Sequence, residues 1–330
     1  MTFTVAAFYK FFRFPDFAGH KGSIKSVCDQ NDVKGTILLA NEGLNGTIAG
    51  PREGIDAVLR SLQEIPGAGG LEHKESAAED MPFLRMKVRL KKEIVSLGVE
   101  GIDPEGGVGT YIDPKDWNDV ISDPDTVIID TRNDYEVSIG TFDGAINPET
   151  PTFRDFPAWF EKFKGENKKL RIAMFCTGGI RCEKSTAYVK SLGLDNVVHL
   201  KGGILKYLEN VPEDESKWQG ECFVFDGRVS VGHGLKEGDY DQCFACRRPI
   251  DDAAKADNRY VKGVSCPHCF DDYSEEDKAR FRERQHQIEL ARLRGEEHLG
   301  KSKGKSTAPK EDLSAGDLFE EAMSGKARYE

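Results

Sequence analysis

The sequence predicts an α/β multidomain protein. It has an α+β sandwich over residues 1–98, an α/β domain with a parallel sheet over 105–225, and a cysteine-rich segment with a charged helix over 226–300. Three observations predict this. Apolar strand-like runs alternate with helix-like stretches through the middle of the chain, which indicates a parallel sheet with crossover helices. A glycine-rich loop opened by a cysteine joins one such strand to a helix. Beyond them stand two Cys-x-x-Cys pairs separated by 19 residues. Residues 301–330 read as a disordered-like tail with a short helix at 317–323.

Residues 4–12 alternate well enough for a strand, and 15–30 are helix-like. Strands at 35–40 and 46–50 flank Asn41-Glu42-Gly43-Leu44-Asn45, where Gly and Asn tolerate positive φ. Residues 51–65 form an amphipathic helix with Ile55, Val58, Leu59 and Leu62 on one face and Pro51 in its first turn. Residues 83–97 close the set as one or two strands. The order βαββαβ suggests a ferredoxin-like or acylphosphatase-like sandwich. Alternation places Arg85, Lys87 and Arg89 on one face of the last strand, as either an RNA-facing surface or an edge protected by charge.

The central domain carries the chemistry. An apolar strand at 170–175 runs into Cys176-Thr177-Gly178-Gly179-Ile180-Arg181, and a helix is expected over 184–192. The backbone N–H groups of Thr177, Gly178, Gly179 and Ile180 are expected to curl around the sulfur, at a helix N-terminus and beside the Arg181 guanidinium. All three favour thiolate over thiol, which makes Cys176 a candidate nucleophile. The alternative is a buried cysteine before an ordinary glycine turn. Upstream, the strand at 126–130 ends in Asp130-x-Arg132, with Glu136 four residues on, then Gly144-Ala145-Ile146-Asn147. Arg132 and Glu136 are expected to pair and hold the loop. Sites in such folds lie beyond the carboxyl ends of strands, where Cys176 falls. With four residues between cysteine and arginine, the loop is tighter than a phosphatase cradle. The domain resembles a rhodanese domain over roughly 105–225. Cys182 either resolves a sulfur intermediate on Cys176, such as a persulfide, or simply begins the helix.

Cys243, Cys246, Cys266 and Cys269 have the spacing of a four-sulfur zinc site. Four thiolates leave no open position, so the zinc is expected to be structural, with His268 outside it. Cys222 reads as a core or near-site residue and Cys28 as a packing residue. A helix is expected over 274–300, capped by Ser274 with Asp277. Its Arg280, Arg282, Arg284, Arg292 and Arg294 either track a phosphate backbone or pair with neighbouring acids.

Composition narrows the functional classes. The 330 residues are 38% hydrophobic and 31% charged, with a net charge of −11, which argues against general nucleic-acid binding but leaves room for a local basic groove. No apolar run approaches membrane-spanning length, and the start lacks the pattern of a signal peptide. Eight cysteines in such a chain favour metal binding and catalysis over disulfides, and a reducing, cytoplasmic setting.

Longer runs carry a family resemblance. These are Gly35-Thr36-Ile37-Leu38-Leu39-Ala40-Asn41-Glu42-Gly43-Leu44-Asn45-Gly46-Thr47, then Asn147-Pro148-Glu149-Thr150-x-Thr152-Phe153-Arg154-Asp155-Phe156-Pro157. The most specific is Cys176-Thr177-Gly178-Gly179-Ile180-Arg181-Cys182-Glu183-Lys184, and Arg284-Gln285-x-Gln287 adds to them. Over roughly residues 3–300 the chain resembles the rhodanese-domain tRNA uridine hydroxylases, long catalogued as an uncharacterised protein family. The resemblance implies oxygen-dependent 5-hydroxylation of the wobble uridine of tRNA, with Cys176 at the catalytic position, molecular oxygen as co-substrate and the anticodon loop as partner. The electron donor is unassigned, and no flavin or haem motif is seen. A reductant or sulfur-donor protein is a further possible partner. Phe153, Trp159 and Tyr135 are candidate stacking residues for a splayed base. The competing chemistry is sulfur transfer through a Cys176 persulfide.

Overall fold

The computed structural model describes residues 2–164 and 171–294. It divides into two compact units, Met1–Gly238 and Asp239–Glu330. The tail at 301–330 and its short helix lie outside the described residues.

The first unit begins with β1 (Phe3–Phe11), α1 (Phe17–Gln30), β2 (Lys34–Ala40), β3 (Gly43–Gly50), α2 (Arg52–Gln63), β4 (His73–Ala78) and β5 (Met86–Leu90). The strands form one sheet in the order β4-β1-β3-β2-β5. Alternate residues of β2 point inward, so Ile37 and Leu39 meet Ile48 of β3, Ile24 and Cys28 of α1, and Ile55, Val58 and Leu62 of α2. The β2–β3 hairpin is tighter than the sequence suggested. β3 starts at Gly43 and pairs its first residue with Ala40, leaving Asn41 and Glu42 alone in the turn.

The sandwich is present, but its fourth core strand is not the expected one. That place, antiparallel to β1, belongs to β4, whose sequence His-Lys-Glu-Ser-Ala-Ala has no hydrophobic alternation. Pairing with β1 makes it a strand where local pattern gives no signal. The basic segment expected to be the fourth strand is β5 instead, an edge strand parallel to β2 and only five residues long.

Next come β6 (Thr110–Ile112), α3 (Pro114–Ser122), β7 (Thr126–Asp130), α4 (Asp134–Val137), β8 (Gly140–Phe142), α5 (Phe156–Phe163), β9 (Arg171–Phe175), α6 (Ile180–Ser191), β10 (Val197–Leu200) and α7 (Gly203–Asn210). The sheet β6-β10-β9-β7 is parallel throughout. Both faces of its inner strand β9 are buried. Ala173 and Phe175 pack with Trp117, Phe142, Ile204 and Tyr207, while Ile172 and Met174 pack with Phe156, Phe160 and Val189. Two short ladders complete the unit: β11 (Trp218–Gly220) pairs with β8, and β12 (Cys222–Phe223) pairs with β13 (Ser230–Val231). Val224, Val231 and Leu235 join the same core as Phe175.

The second unit holds β14 (Asp241–Gln242), β15 (Pro249–Ile250), α8 (Asp252–Ala256) and α9 (Glu275–Leu293). Ser274 caps α9 as expected, its hydroxyl accepting from the Asp277 N–H at 3.1 Å. The expected extension of the helix to residue 300 runs beyond the described residues.

Candidate active site

The cradle follows directly from the sheet. β9 lies between β10 and β7, and Cys176 is the first residue past its carboxyl end. The chain turns in three residues. Gly179 (φ +102°) serves as N-cap of α6, which begins at Ile180, four residues earlier than periodicity suggests. Arg181 and Cys182 therefore stand in the first turn of the helix. Two loop carbonyls are taken by the start of α7: Ile204 N–H donates to Cys176 O at 2.9 Å and Leu205 N–H to Thr177 O at 3.1 Å. A Cβ on Gly203 (φ +70°) would lie 2.5 Å from Cys176 O, so only glycine permits this approach. With its carbonyls held outward, the loop turns an N–H inward, and Gly179 donates to Cys176 Sγ at 3.1 Å.

Cys176 is fully buried. Burial opposes the thiolate, but the Cys182 thiol, the Arg181 charge and the N–H groups of Cys182 and Gly179 outweigh it and bring the Cys176 pKa from 9.0 down to about 5. Cys182 moves the other way. Burial and the adjacent Cys176 sulfur hold its thiol well above the ordinary range. The pair therefore favours negative charge on Cys176, with the Cys182 thiol as its hydrogen-bond donor.

Arg181 is fixed from behind. It donates to both oxygens of Glu136, at 2.6 and 2.8 Å, and to Thr177 Oγ1 at 3.3 Å. Burial pushes the Glu136 pKa up, but the Arg181 guanidinium outweighs it and holds the carboxylate ionised. The expected Arg132–Glu136 ion pair is not formed. Arg132 donates to Asp130 at 2.9 and 2.6 Å, and reaches only the backbone carbonyls of Glu136 and Gly140. The reason is geometric: Asp130 ends the same strand and is closer in sequence, while the Glu136 side chain turns toward the cradle. Arg132 acts as a structural tie and Glu136 as the partner of the loop arginine.

The first sheet closes over the cradle, with residues the sequence reading did not single out. Tyr9 of β1 donates to Glu183 Oε1 at 2.7 Å, and Lys74 of β4 donates to Gly178 O at 2.9 Å. Lys184, 1% exposed, bonds Glu42 at 2.9 Å, Glu93, and Val95 O at 3.0 Å. The Glu-Lys pair that follows Arg-Cys is therefore the joint to the first sheet. A cavity of about 670 Å³ opens beside it, lined by Tyr9, Lys74, Tyr111, Glu183, Lys201 and Lys206 among others. Lys74 lay on an unrecognised strand and Tyr9 is some 170 residues from its partner, so no local signal could join them to the loop. Glu183-Lys184 was the one available signal.

The stacking candidates do not face this cavity. Phe153 and Tyr135 are buried, and Trp159 packs on Phe156 and Phe163. Arg85, just before β5, is exposed and Lys87 on β5 half-buried, but Arg89 is only 6% exposed, so the three do not make one open basic face. Cys222 and Cys28 are buried in cores, each pushed up to about 12 by desolvation.

In the second unit the sulfurs of Cys243, Cys246, Cys266 and Cys269 lie within 4.8 Å of one another and all four residues are buried. The separations Cys243–Cys269, Cys246–Cys266 and Cys266–Cys269 are 3.9, 3.8 and 3.7 Å. Four sulfurs around a tetrahedral zinc with bonds of about 2.3 Å stand about 3.8 Å apart, so this set fits the ion. His268 is exposed and outside it. Arg284 donates to Phe244 O and Gly263 O, at 2.8 and 3.0 Å, tying α9 to the cysteine ribbon. Arg280 and Arg282 pair with Asp277 and Glu275 of the same helix.

Comparison with known proteins agrees with this architecture. Residues 3–94 match the family described as the UPF0176 acylphosphatase-like domain, and residues 113–210 match the rhodanese-like domain. A tRNA uridine(34) hydroxylase of Agrobacterium fabrum is 60% identical over 299 residues, covering 91% of this chain and 95% of that one. Proteins of the same name from Rhizobium leguminosarum and from a Jannaschia species are 60% and 59% identical over 298 residues, each covering 90% of this chain and 96% and 99% of their own length. With a buried cysteine loop at the end of a parallel strand, an acylphosphatase-like sheet closed over it and this degree of identity, the chain belongs to the tRNA uridine(34) hydroxylase family.

Proposed function

We propose that the protein hydroxylates C5 of the wobble uridine, position 34, of tRNA, using molecular oxygen, with Cys176 as the nucleophile. The observation that carries the reading is the sulfur itself. It is held as a thiolate by a neighbouring thiol, a fixed guanidinium and loop N–H groups at a strand end. Carbon 5 of uracil resists oxidation in the intact ring. Addition of the Cys176 thiolate to C6 makes C5 enolate-like and electron-rich, able to meet an oxygen species. Arg181, clamped by Glu136, supplies a stationary positive charge to the loop. Cys182 is the hydrogen-bond donor that keeps the sulfur ionised. The anticodon is single-stranded, so its bases can be splayed into a protein site.

The four clustered cysteines would hold a structural zinc, whose part is to cross-link the ribbon rather than to react. Oxygen needs a separate reductant. The cytoplasm, where tRNA is decoded, is the compartment this reading implies, and no described helix is long and apolar enough to cross a membrane.

The same thiolate also suits sulfur transfer through a Cys176 persulfide. Nucleoside mass spectrometry of tRNA incubated with the protein and a reductant under ¹⁸O₂ separates the two. Labelled 5-hydroxyuridine supports hydroxylation. An unlabelled product in which sulfur has replaced oxygen overturns it in favour of sulfur transfer.

A further inference from the structure

The first sheet brings one ammonium to the cradle whose main attracting charge is the Cys176 sulfur rather than a carboxylate. Lys74 Nζ donates to the Gly178 carbonyl, two residues past Cys176, and lies 5.5 Å from the centroid of the Tyr9 ring. No carboxylate stands within ion-pair distance of it among the described residues. Lys184, on the same joint, shows the contrast, being held by two carboxylates and a carbonyl. An ammonium drawn partly out of water onto one neutral carbonyl leans on the Cys176 charge, and when that charge passes into the substrate a new anion beside the ammonium keeps it compensated. Lys74 lines the cavity beside the loop, together with Tyr9, Tyr111 and Glu183.

We propose that Lys74 is a catalytic residue whose ammonium meets O4 of the uracil ring and stabilises the enolate formed when Cys176 adds to C6. The inference rests on Cys176 acting as the nucleophile. The incoming ring takes the place of the Gly178 carbonyl as acceptor. A lone pair on Cys176 Sγ forms the S–C6 bond, the C5–C6 π pair moves to C4–C5, and the carbonyl π pair moves onto O4. The negative charge on O4 then faces the Lys74 N–H groups. Reversal returns the pairs, breaks the S–C6 bond and restores the thiolate, so nothing is oxidised or reduced in the step. Burial lowers the Lys74 pKa, against the pull of the Cys176 thiolate, which also readies the group to hand a proton to O4.

The step has a readout that needs no oxygen. While the adduct exists, C5 can take a deuteron from D₂O, and reversal then releases the original hydrogen. The full-length protein is mixed anaerobically in D₂O with a tRNA transcript carrying uridine at position 34, and deuterium at C5 is measured by mass spectrometry. The wild type exchanges, and C176A does not. K74M exchanges roughly a hundredfold more slowly, the scale for losing one donor at a developing oxyanion, while its Cys176 keeps the wild-type pH profile of iodoacetamide alkylation, and K74R recovers part of the rate. Wild-type exchange in K74M overturns the proposal, as does a loss matched by equal loss of Cys176 alkylation, which would make Lys74 a tuner of the thiolate alone. A wild type that hydroxylates without exchanging overturns it too. A wild type that exchanges but never hydroxylates under oxygen defeats the hydroxylase reading and leaves Lys74 in place.

Discussion

Replacing Cys176 by Ser tests the electrostatics of the cradle as a quantity. A fall of the thiol pKa from 9.0 to about 5 corresponds to roughly 5 kcal/mol favouring the thiolate in the folded state. Because the folded value is the lower one, this stabilisation is full above the unfolded pKa near 9 and is lost as pH falls through about 5. At pH 7 it amounts to about 3 kcal/mol relative to pH 4. The serine variant lacks it. The thiolate absorbs near 240 nm, and the wild-type-minus-C176S difference spectrum removes the contribution of the other cysteines. The expected difference signal is half-maximal near pH 5, and the stability gap between the two proteins, from urea unfolding of the first unit, widens by about 3 kcal/mol between pH 4 and pH 7. A midpoint at pH 8 or above, or a gap that stays constant across that range, would refute the reasoning, because it would mean that burial outweighs the donors.

Three further perturbations follow from the contacts. Glu136→Gln leaves the buried Arg181 guanidinium without its carboxylate, so a loss of about 3–5 kcal/mol is expected, read as a fall in melting temperature of roughly 6–20 °C, and a change under 2 °C would contradict it. Lys184→Met removes the cation between Glu42 and Glu93. The expected result is faster proteolysis of the segment between β5 and β6 together with a loss of several kcal/mol, and protease resistance equal to wild type would count against the joint. Cys266→Ser, or a strong chelator, is expected to release one zinc per chain, measured by elemental analysis, and to abolish the ordered signals of the second unit while the first keeps its transition.

Much of the fold was legible because it obeys local periodicity. The α2 helix shows its apolar face at Ile55, Val58, Leu59 and Leu62, and β9 shows a continuous apolar run followed at once by Cys176-Thr177-Gly178-Gly179. The zinc-type cysteines were legible from spacing alone. What escaped depends on pairing across long separations. β4 is a strand only because β1 offers it a ladder, and with β4 missed Lys74 had no place in the site. The start of α6 was misread because its first turn carries Arg181 and Cys182, which face the cradle instead of continuing an apolar stripe. The expected Arg132–Glu136 pair failed because Asp130, at the end of the adjoining strand, takes the side chain of Arg132 and leaves Glu136 to Arg181.

One turn of α6 has a consequence for how the molecule can be divided. Cys182 faces the reactive sulfur, and the next two residues, Glu183 and Lys184, hold Tyr9 of the preceding sheet, Glu42 of its β2–β3 turn and Glu93 just beyond β5. Reagent and hinge pin thus occupy consecutive positions on a single rigid rod. The central domain cannot be lifted out as a portable module: excised, it would expose a lysine shaped for two absent carboxylates and lose the tyrosine that steadies the loop. Any swing of the first sheet must likewise pull on the helix turn that sets the protonation of Cys176, so a partner gripping that sheet could change the chemistry without touching the sulfur.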